Sequence, residues 1–333
     1  MPDKRAGRRS PLDAVREHQW SPGERVVFIS ALAILMGALF VTTYSLALGD
    51  PVPHQIDAAV IGDPAAHAHA VSAVQQVSDN SLLLHRYPSA VPALRAIDHQ
   101  QVYAALDLTT GRPTLYVASA AGVSVARLLE RVSALDPDVR VVDTHPLDPH
   151  DPSGIDVFYL MLVATIVGFL TVFQLVAHAG SLSNRRWWLL IVVLSVVASL
   201  VFAVVEGPIL ERVDLPVLEG WGILALQVLA VASFARLMTL LIGRWAILPT
   251  WVFFVVLGNS ASGGAVAPPL LPRPFALVSQ WLPSGATVTA LRNAVYFNDY
   301  QQARPILVLA AWSAVLFAAM MVASMRSSAR STA

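Results

Sequence analysis

The chain of 333 residues contains no cysteine and a single lysine, Lys4. The lack of cysteine excludes disulfide bonds, thiolate metal ligands and thiol redox chemistry. A phosphate-binding loop of the form G-x-x-x-x-G-K-[ST] needs a lysine that Lys4 does not supply. The sequence also lacks a G-x-S-x-G nucleophile elbow and an H-E-x-x-H zinc motif. Because these catalytic and nucleotide-binding motifs are missing, no motif in the sequence indicates an enzyme.

Charged residues are also scarce. They make up 13 % of the chain, whereas hydrophobic residues make up 56 % and the mean hydropathy is +0.60. Soluble domains carry about 25 % charged residues. The composition therefore predicts a protein embedded in a lipid bilayer.

Long apolar runs give the first estimate of topology. A helix that crosses about 30 Å of hydrocarbon needs about 20 apolar residues. Five runs reach that length: 26–48, 157–178, 187–205, 221–242 and 305–325. The first run is longer than the roughly 7–15 apolar residues of a signal peptide, so we interpret it as a retained anchor.

A shorter apolar segment, 245–258, decides how many spans the chain has. It contains Pro249 and would extend only about 21 Å as a helix. Lysine and arginine concentrate in short cytoplasmic loops, which places the segment 1–25, the pair Arg185–Arg186 and the tail 326–333 in the cytoplasm. With both termini inside, the number of crossings is even, so 245–258 must cross as the fifth of six transmembrane helices.

This topology places residues 49–156 outside the cytoplasm of a multi-pass plasma-membrane protein. Residues 50–156 hold thirteen acids and six arginines, whereas residues 1–25 hold six basic groups and four acids. Strand-like runs alternate with helical ones, and "QVYAALDLTTGRPTLYVAS" is typical of a hairpin. We therefore expect a small extracytoplasmic α/β domain between the first two helices.

Histidines are concentrated in this outer segment. Seven of the nine lie there: His54, His67, His69, His85, His99, His145 and His150. They could form a metal site or could be solvated side chains on an acidic surface. His67 and His69 are two residues apart and would lie on different faces of a helix, so we predict no metal site.

The apolar runs contain several polar residues, among them Gln174 and His178 near the inner end of the second run, and Gln227 and Arg236 in the fourth. Such residues are costly in lipid and are often functional, so they could line a translocation path. Alternatively, the glutamines could bond between helices while Arg236 extends its charge towards the interface.

Two segments could contact partners on the cytoplasmic side. The loop 179–188, "AGSLSNRRWW", could be a turn with interfacial tryptophans or a rigid contact through which a partner moves two spans. The segment 1–25 could be an amphipathic helix on the membrane surface or a disordered basic tail.

The stretch 259–297 is too rich in Gly and Pro to form one helix and too apolar to be a solvated loop. "FALVSQWL" and "ATVTALRNAVYF" could each form a short helix. Irregular backbone at membrane depth is tolerated only where protein or a cavity satisfies its polar groups. We therefore expect a re-entrant helical hairpin on the outer side, before the sixth helix.

This stretch also carries a family resemblance. "GNSASGGAVAPPLLP" and "WLPSGATVTALRNAVYF" resemble the carboxy-terminal signature of ABC-2 type transporter permeases of the YhgE/Pip-like branch. "IDAAVIGDP" and "PLDPHDPSGIDVFYL" are similar to that branch's first strand and to its entry into the second helix. The outer domain of about a hundred residues departs from the long coiled-coil ectodomain of some members, which speaks against the receptor and secretion roles that depend on it.

The resemblance implies a polytopic α-helical membrane protein that is the permease half of an exporter. Two permeases would pair as a homodimer or heterodimer, and a separate ATP-binding subunit would hydrolyse ATP, with no cofactor in this chain. The implied coupling loop comprises Ser181, Asn184, Arg185, Arg186 and Trp187. The implied outer gate comprises Ser262, Gly263, Gly264, Leu282, Pro283 and Arg292.

The sequence thus predicts a membrane transport protein that exports a hydrophobic or lipid-like substrate and has no nucleic-acid partner. The alternative is a scaffold or receptor that transports nothing and whose outer domain binds a cell-envelope partner. A membrane enzyme ranks third because its motifs are missing.

Overall fold

The structure, a computed structural model, describes residues 21–179, 182–297 and 300–331. The chain divides into two compact units, residues 1–42 and 43–333. The first helix, α1 (Pro22–Leu48), runs through this division. Ser21 and Glu24 form a capping box at its start, because each side chain accepts a hydrogen bond from the other's backbone N–H. Its apolar side chains are largely exposed, with Ile34 73 % accessible.

A five-stranded sheet forms the core of the sheet domain, residues 50–155. The elements are β1 (Ile56–Ile61), α2 (Ala68–Val77), β2 (Leu82–Tyr87), α3 (Ala90–Asp98), β3 (Ala104–Asp107), β4 (Thr114–Val117), α4 (Val123–Glu130), α5 (Val132–Leu135) and β5 (Arg140–Asp143). The strand order is β2-β1-β3-β4-β5. Only β3 and β4 pair antiparallel, as the predicted hairpin requires.

Alternation along β1 explains why helices cover both faces of the sheet. Ile56, Ala58 and Val60 pack in a cluster with α2 and α4. Ala59 and Ile61 point the other way and pack against α3. A strand that is buried on both faces consists mainly of apolar residues. Asp57 is the one charged residue of β1.

The helical domain follows. It comprises α6 (Asp156–His178), α7 (Asn184–Val204), α8 (Val217–Ile242), α9 (Ile247–Trp251), α10 (Arg273–Ser279), α11 (Pro283–Tyr296) and α12 (Ala303–Ser331). π-Helical turns at Val205–Ile209 and Val252–Asn259 extend α7 and α9.

Within the described residues, five helical runs are long and apolar enough to cross a membrane: Pro22–Leu48, Asp156–His178, Asn184–Ile209, Val217–Asn259 and Ala303–Ser328. Several of them extend beyond the predicted apolar runs, because helical geometry continues into the polar residues at each end. The protein is therefore helix-rich and membrane-embedded, with a small sheet domain.

The longest run, Val217–Asn259, is a hairpin rather than a straight helix. Gly243 follows the last residue of α8 and ends that helix. Its φ of +59° lies in the left-handed region that favours glycine. The rings of Phe234 and Phe253 stack with centroids 5.4 Å apart, although residues this far apart in a straight helix would be separated by about 28 Å. The predicted segments 221–242 and 245–258 are thus two arms that lie side by side.

The α11 helix lies in the middle of the helical domain. It packs against α6, α8, α12 and the arm Val252–Asn259. Eleven of its fourteen residues are buried, and many are small, which lets neighbouring backbones approach closely. A Cβ on Gly258 would lie 2.7 Å from the Ser284 hydroxyl and 3.0 Å from the Phe253 carbonyl oxygen, so the glycine allows a close approach at this crossing.

The sheet domain is attached to the segment 266–302 through several contacts. The N–H of His54 donates to the carbonyl oxygen of Pro269 at 2.7 Å. The N–H of Ala267 donates to the Ser124 hydroxyl at 3.0 Å. On the other side, the His145 ring stacks on Phe297 with centroids 4.6 Å apart. These contacts join the sheet domain to Ala267, Pro269 and Phe297 of the helical domain.

Candidate functional site

The last turn of α6, which ends at His178, and the first turn of α7, which begins at Asn184, lie at the end of the bundle away from the sheet domain. Asn184 Nδ2 donates hydrogen bonds to the Ser324 carbonyl oxygen and the Ser328 hydroxyl, each at 2.9 Å. Trp188 Nε1 donates to the Ser324 hydroxyl at 3.1 Å. The start of α7 is therefore bonded to the last turns of α12. Ser181, the first residue of the predicted coupling loop, lies outside the described residues.

The remaining residues of that predicted loop divide into exposed and buried ones. Arg185 and Arg186 are exposed. Trp187 is buried, and the guanidinium carbon of Arg236 lies 4.0 Å from the centre of its ring. A guanidinium over an indole face is a favourable cation–π contact. This contact links α7 to α8. The exposed residues Arg185 and Arg186 therefore lie on a helix that is attached to both α8 and α12.

A buried polar network occupies the middle of the helical domain. Gln227 on α8 donates from Nε2 to the Thr165 hydroxyl at 2.9 Å. Its Oε1 accepts a hydrogen bond from the Thr287 hydroxyl at 3.0 Å. All three side chains are fully buried. The network therefore joins α6, α8 and α11 at one level of the bundle.

The three predicted path residues occupy separate places. Gln174 is exposed. Its backbone carbonyl oxygen lies within hydrogen-bond distance, 2.9 Å, of the His178 imidazole Nδ1. Gln227 and Arg236 lie on one helix about 14 Å apart along its axis. Within the described part of the chain, none of the three contacts another, and Gln227 and Arg236 have protein partners of their own.

Four of the six predicted gate residues meet around one turn. Arg292 on α11 donates from Nη2 to the carbonyl oxygen of Gly263 at 3.1 Å. Gly263 has a φ of +75°, which favours glycine. The Ser262 hydroxyl accepts a hydrogen bond from the Gly264 N–H at 3.2 Å. The turn is therefore closed by Ser262 and held to α11 by Arg292.

The other two predicted gate residues begin α11. Leu282 has an extended backbone, and Pro283 occupies the first helical turn, where its missing N–H costs nothing. An α-helix rises about 14 Å over nine residues. Leu282 and Pro283 thus lie at the opposite end of α11 from Arg292.

An acidic cluster where α6 begins was not anticipated from the sequence. The two carboxylate oxygens of Asp151 accept hydrogen bonds from the N–H groups of Ile155 and Asp156, both at 3.1 Å. Arg212 Nε donates to the buried Asp156 carboxylate at 2.9 Å. Burial raises the pKa of Asp151 despite these backbone donors. Arg212 is the only basic residue in the acidic stretch 206–220. This single arginine among acids was the sequence feature that could have indicated an ion pair here.

Four histidines of the sheet domain pair with single carboxylates. The pairs are His69–Asp136 at 2.9 Å, His85–Asp57 at 2.7 Å, His145–Asp98 at 3.6 Å and His150–Asp148 at 3.1 Å. No group of three or more metal-ligating side chains converges within the described ranges.

No family model matches the sequence, and no curated protein is similar to it.

Proposed function

We propose that this chain is the permease subunit of an ABC-2 type exporter. In this proposal the protein crosses the plasma membrane six times, with both termini in the cytoplasm and the sheet domain outside. A separate ATP-binding subunit docks on the loop 181–187. Two permeases pair, as a homodimer or a heterodimer.

The observation that carries the proposal is the anchoring of the α6–α7 connection. Asn184 and Trp188 bond to Ser324 on α12, and Trp187 stacks under Arg236 of α8. A force applied at the exposed Arg185–Arg186 pair would reach α7, α8 and α12 together. An energy-coupling contact needs such a rigid attachment to several helices.

The mechanism follows from the packing of α11. Movement of α8 acts on α11 through the Gln227–Thr287 hydrogen bond. At its far end, α11 holds the turn 262–264 through Arg292. We propose that ATP-driven rocking of α8 and α12 shifts α11 and opens this turn towards the outside.

The proposed substrate class is hydrophobic or lipid-like. Arg236 is the one charged residue in the six predicted apolar segments, and its charge is engaged by Trp187. Transmembrane segments without a free charge favour an apolar cargo, because charged groups are costly in lipid.

The test begins with purification in mild detergent and identification of the ATPase that accompanies the chain. We expect the double variant Arg185→Glu/Arg186→Glu, reconstituted with that ATPase, to lose substrate-stimulated ATP hydrolysis while its helix content is unchanged. Arg131→Glu, an exposed charge reversal in the sheet domain, is the matched control and should retain coupling. Full coupling in the double variant would disprove the proposed contact. Absence of any copurifying ATPase would favour the scaffold or receptor instead.

A further inference from the structure

A cavity of about 150 Å³ lies between the sheet domain and the helical domain. Its walls come from both domains: Gln100, Val102, Tyr103, Ala121, Pro268, Thr289, Arg292 and Gln302. One of these eight residues is cationic and none is acidic. A single water needs only about 10–15 Å³ of such space, so the cavity can hold a small polar group.

Arg292 supplies an uncompensated positive charge to this cavity. Among contacts within the described residues, its only hydrogen bond runs to the Gly263 carbonyl oxygen, and it forms no ion pair. A guanidinium has five N–H donors in a planar fork that matches phosphate and carboxylate oxygens. The bond to Gly263 fixes the side chain while it leaves further donors for a ligand.

Acids elsewhere in the sheet domain do not neutralise this charge by direct contact. The Asp151 carboxylate interacts electrostatically with Arg292 at a distance. Its oxygens accept hydrogen bonds from the N–H groups of Ile155 and Asp156 instead. Asp57 acts on Tyr103, but it is paired with His85 at 2.7 Å.

Two neutral donors accompany the arginine. The amide nitrogen of Gln100 is buried and has no hydrogen-bond partner in the described part of the chain. A buried donor without an acceptor costs free energy, which a bound anion would recover. The phenol of Tyr103 is neutral and can donate at neutral pH, and burial raises its pKa further, to about 12.

We propose that this cavity binds a phosphate-type oxyanion, with Arg292, Gln100 and Tyr103 as its ligands. The group could be free phosphate or the headgroup of an anionic phospholipid, and both present the same oxygens. Because the site joins the two domains, its occupant would stiffen their junction. The proposal holds whether or not the chain exports a substrate.

The test measures the melting temperature of the purified full-length protein in neutral detergent. The probes are inorganic phosphate and, separately, mixed micelles that contain phosphatidylglycerol, with neutral lipid as the reference. We expect Arg292→Gln to weaken binding of whichever probe stabilises the unaltered protein by about ten-fold or more. This is the loss typical of one hydrogen bond to a charged group. Arg292→Lys should recover part of it.

Tyr103→Phe and Gln100→Leu carry the test if Arg292→Gln fails to fold, and each should weaken binding by about three-fold or more. Arg131→Gln, on the exposed surface of the sheet domain, is the control and should bind like the unaltered chain. Stabilisation by phosphate that depends on Arg292 would support a free-anion site. Stabilisation by phosphatidylglycerol alone, with the same dependence, would support a headgroup site. If neither probe stabilises the protein, or the variants respond like the unaltered chain, the proposal is overturned.

Discussion

Phe234 and Phe253 stack across the hairpin turn at Gly243, with ring centroids 5.4 Å apart and planes inclined by 15°. This contact requires the segment after Gly243 to return along α8. In the proposed topology the return arm is the fifth crossing, which brings the turn 262–264 to the outer side and the carboxy terminus to the cytoplasm.

The hairpin leads to a topology prediction that the cysteine-free chain makes easy to test. We expect Gly111→Cys, in the sheet domain, to react with a membrane-impermeant maleimide in intact cells. Arg244→Cys at the hairpin tip and Arg326→Cys after the last apolar run should react only after permeabilisation, because both would face the cytoplasm. Labelling of Arg326→Cys in intact cells would rule out six crossings, and the exporter proposal would lose its basis.

Gly285 at the α10–α11 corner should tolerate no side chain. A Cβ there would overlap the backbone carbonyl oxygen of Ser279, and backbone cannot move as freely as a side chain. We expect Gly285→Ala to lower the free energy of unfolding by about 3 kcal/mol, the upper part of the usual range for overpacking. Denaturation in mixed micelles measures it.

Gly222→Ala on α8 is the matched control, because no atom lies within 4 Å of its Cβ position. Alanine is the better helix former by about 0.5–1 kcal/mol, so this change should be neutral or stabilising. Equal losses in the two variants would contradict the described corner.

The Gln227–Thr287 hydrogen bond should show as a coupling between helices. In a double-mutant cycle with Gln227→Leu and Thr287→Val, we expect a coupling free energy of about 0.6 kcal/mol and at most about 1.7 kcal/mol, the range for hydrogen bonds between membrane helices. Gln174→Leu, at an exposed position, should show no coupling to Thr287→Val. Purely additive effects of the first two changes would argue against the network.

The phenol of Tyr103 predicts a loss of stability at alkaline pH. Burial raises its pKa to about 12 in the folded protein, whereas an unfolded tyrosine titrates near about 10. The folded state therefore holds the proton more tightly between these values. Stability is unaffected by this group below pH about 10 and falls by about 3 kcal/mol as pH rises towards about 12.

Titration of tyrosinate absorbance in the near ultraviolet checks this prediction. The difference between the unaltered chain and Tyr103→Phe isolates the one phenol from the others. An ordinary tyrosine midpoint in that difference would mean that the ring is solvated, which would contradict the buried position of Tyr103 in the cavity wall.

Much of the fold could be read from local sequence. The runs 157–178 and 305–325 coincide with the cores of α6 and α12, because length and apolarity alone decide whether a segment forms such a helix. The segment "HQIDAAVIG", whose apolar alternation is typical of a strand, contains β1. "FALVSQWL" and "ATVTALRNAVYF" overlap α10 and α11, since proline fixes where each can begin.

The candidate site was only partly accessible from sequence. The residues Ser262, Gly263 and Arg292 were selected by resemblance, and the structure shows that Arg292 bonds to Gly263. Arg212 and Tyr103 were not selected, because their roles depend on partners 56 and 189 positions away in the chain, Asp156 and Arg292 respectively.

The sequence by itself determined the membrane character, the sorting of charge and the order of the elements, because apolar length, proline and glycine act on a segment without reference to the rest of the chain. Only the tertiary structure decided that Phe234 stacks on Phe253, that Gln227 is satisfied by two threonines and that Arg292 faces a cavity without an acid. These outcomes depend on which distant side chains packing brings within a few ångströms.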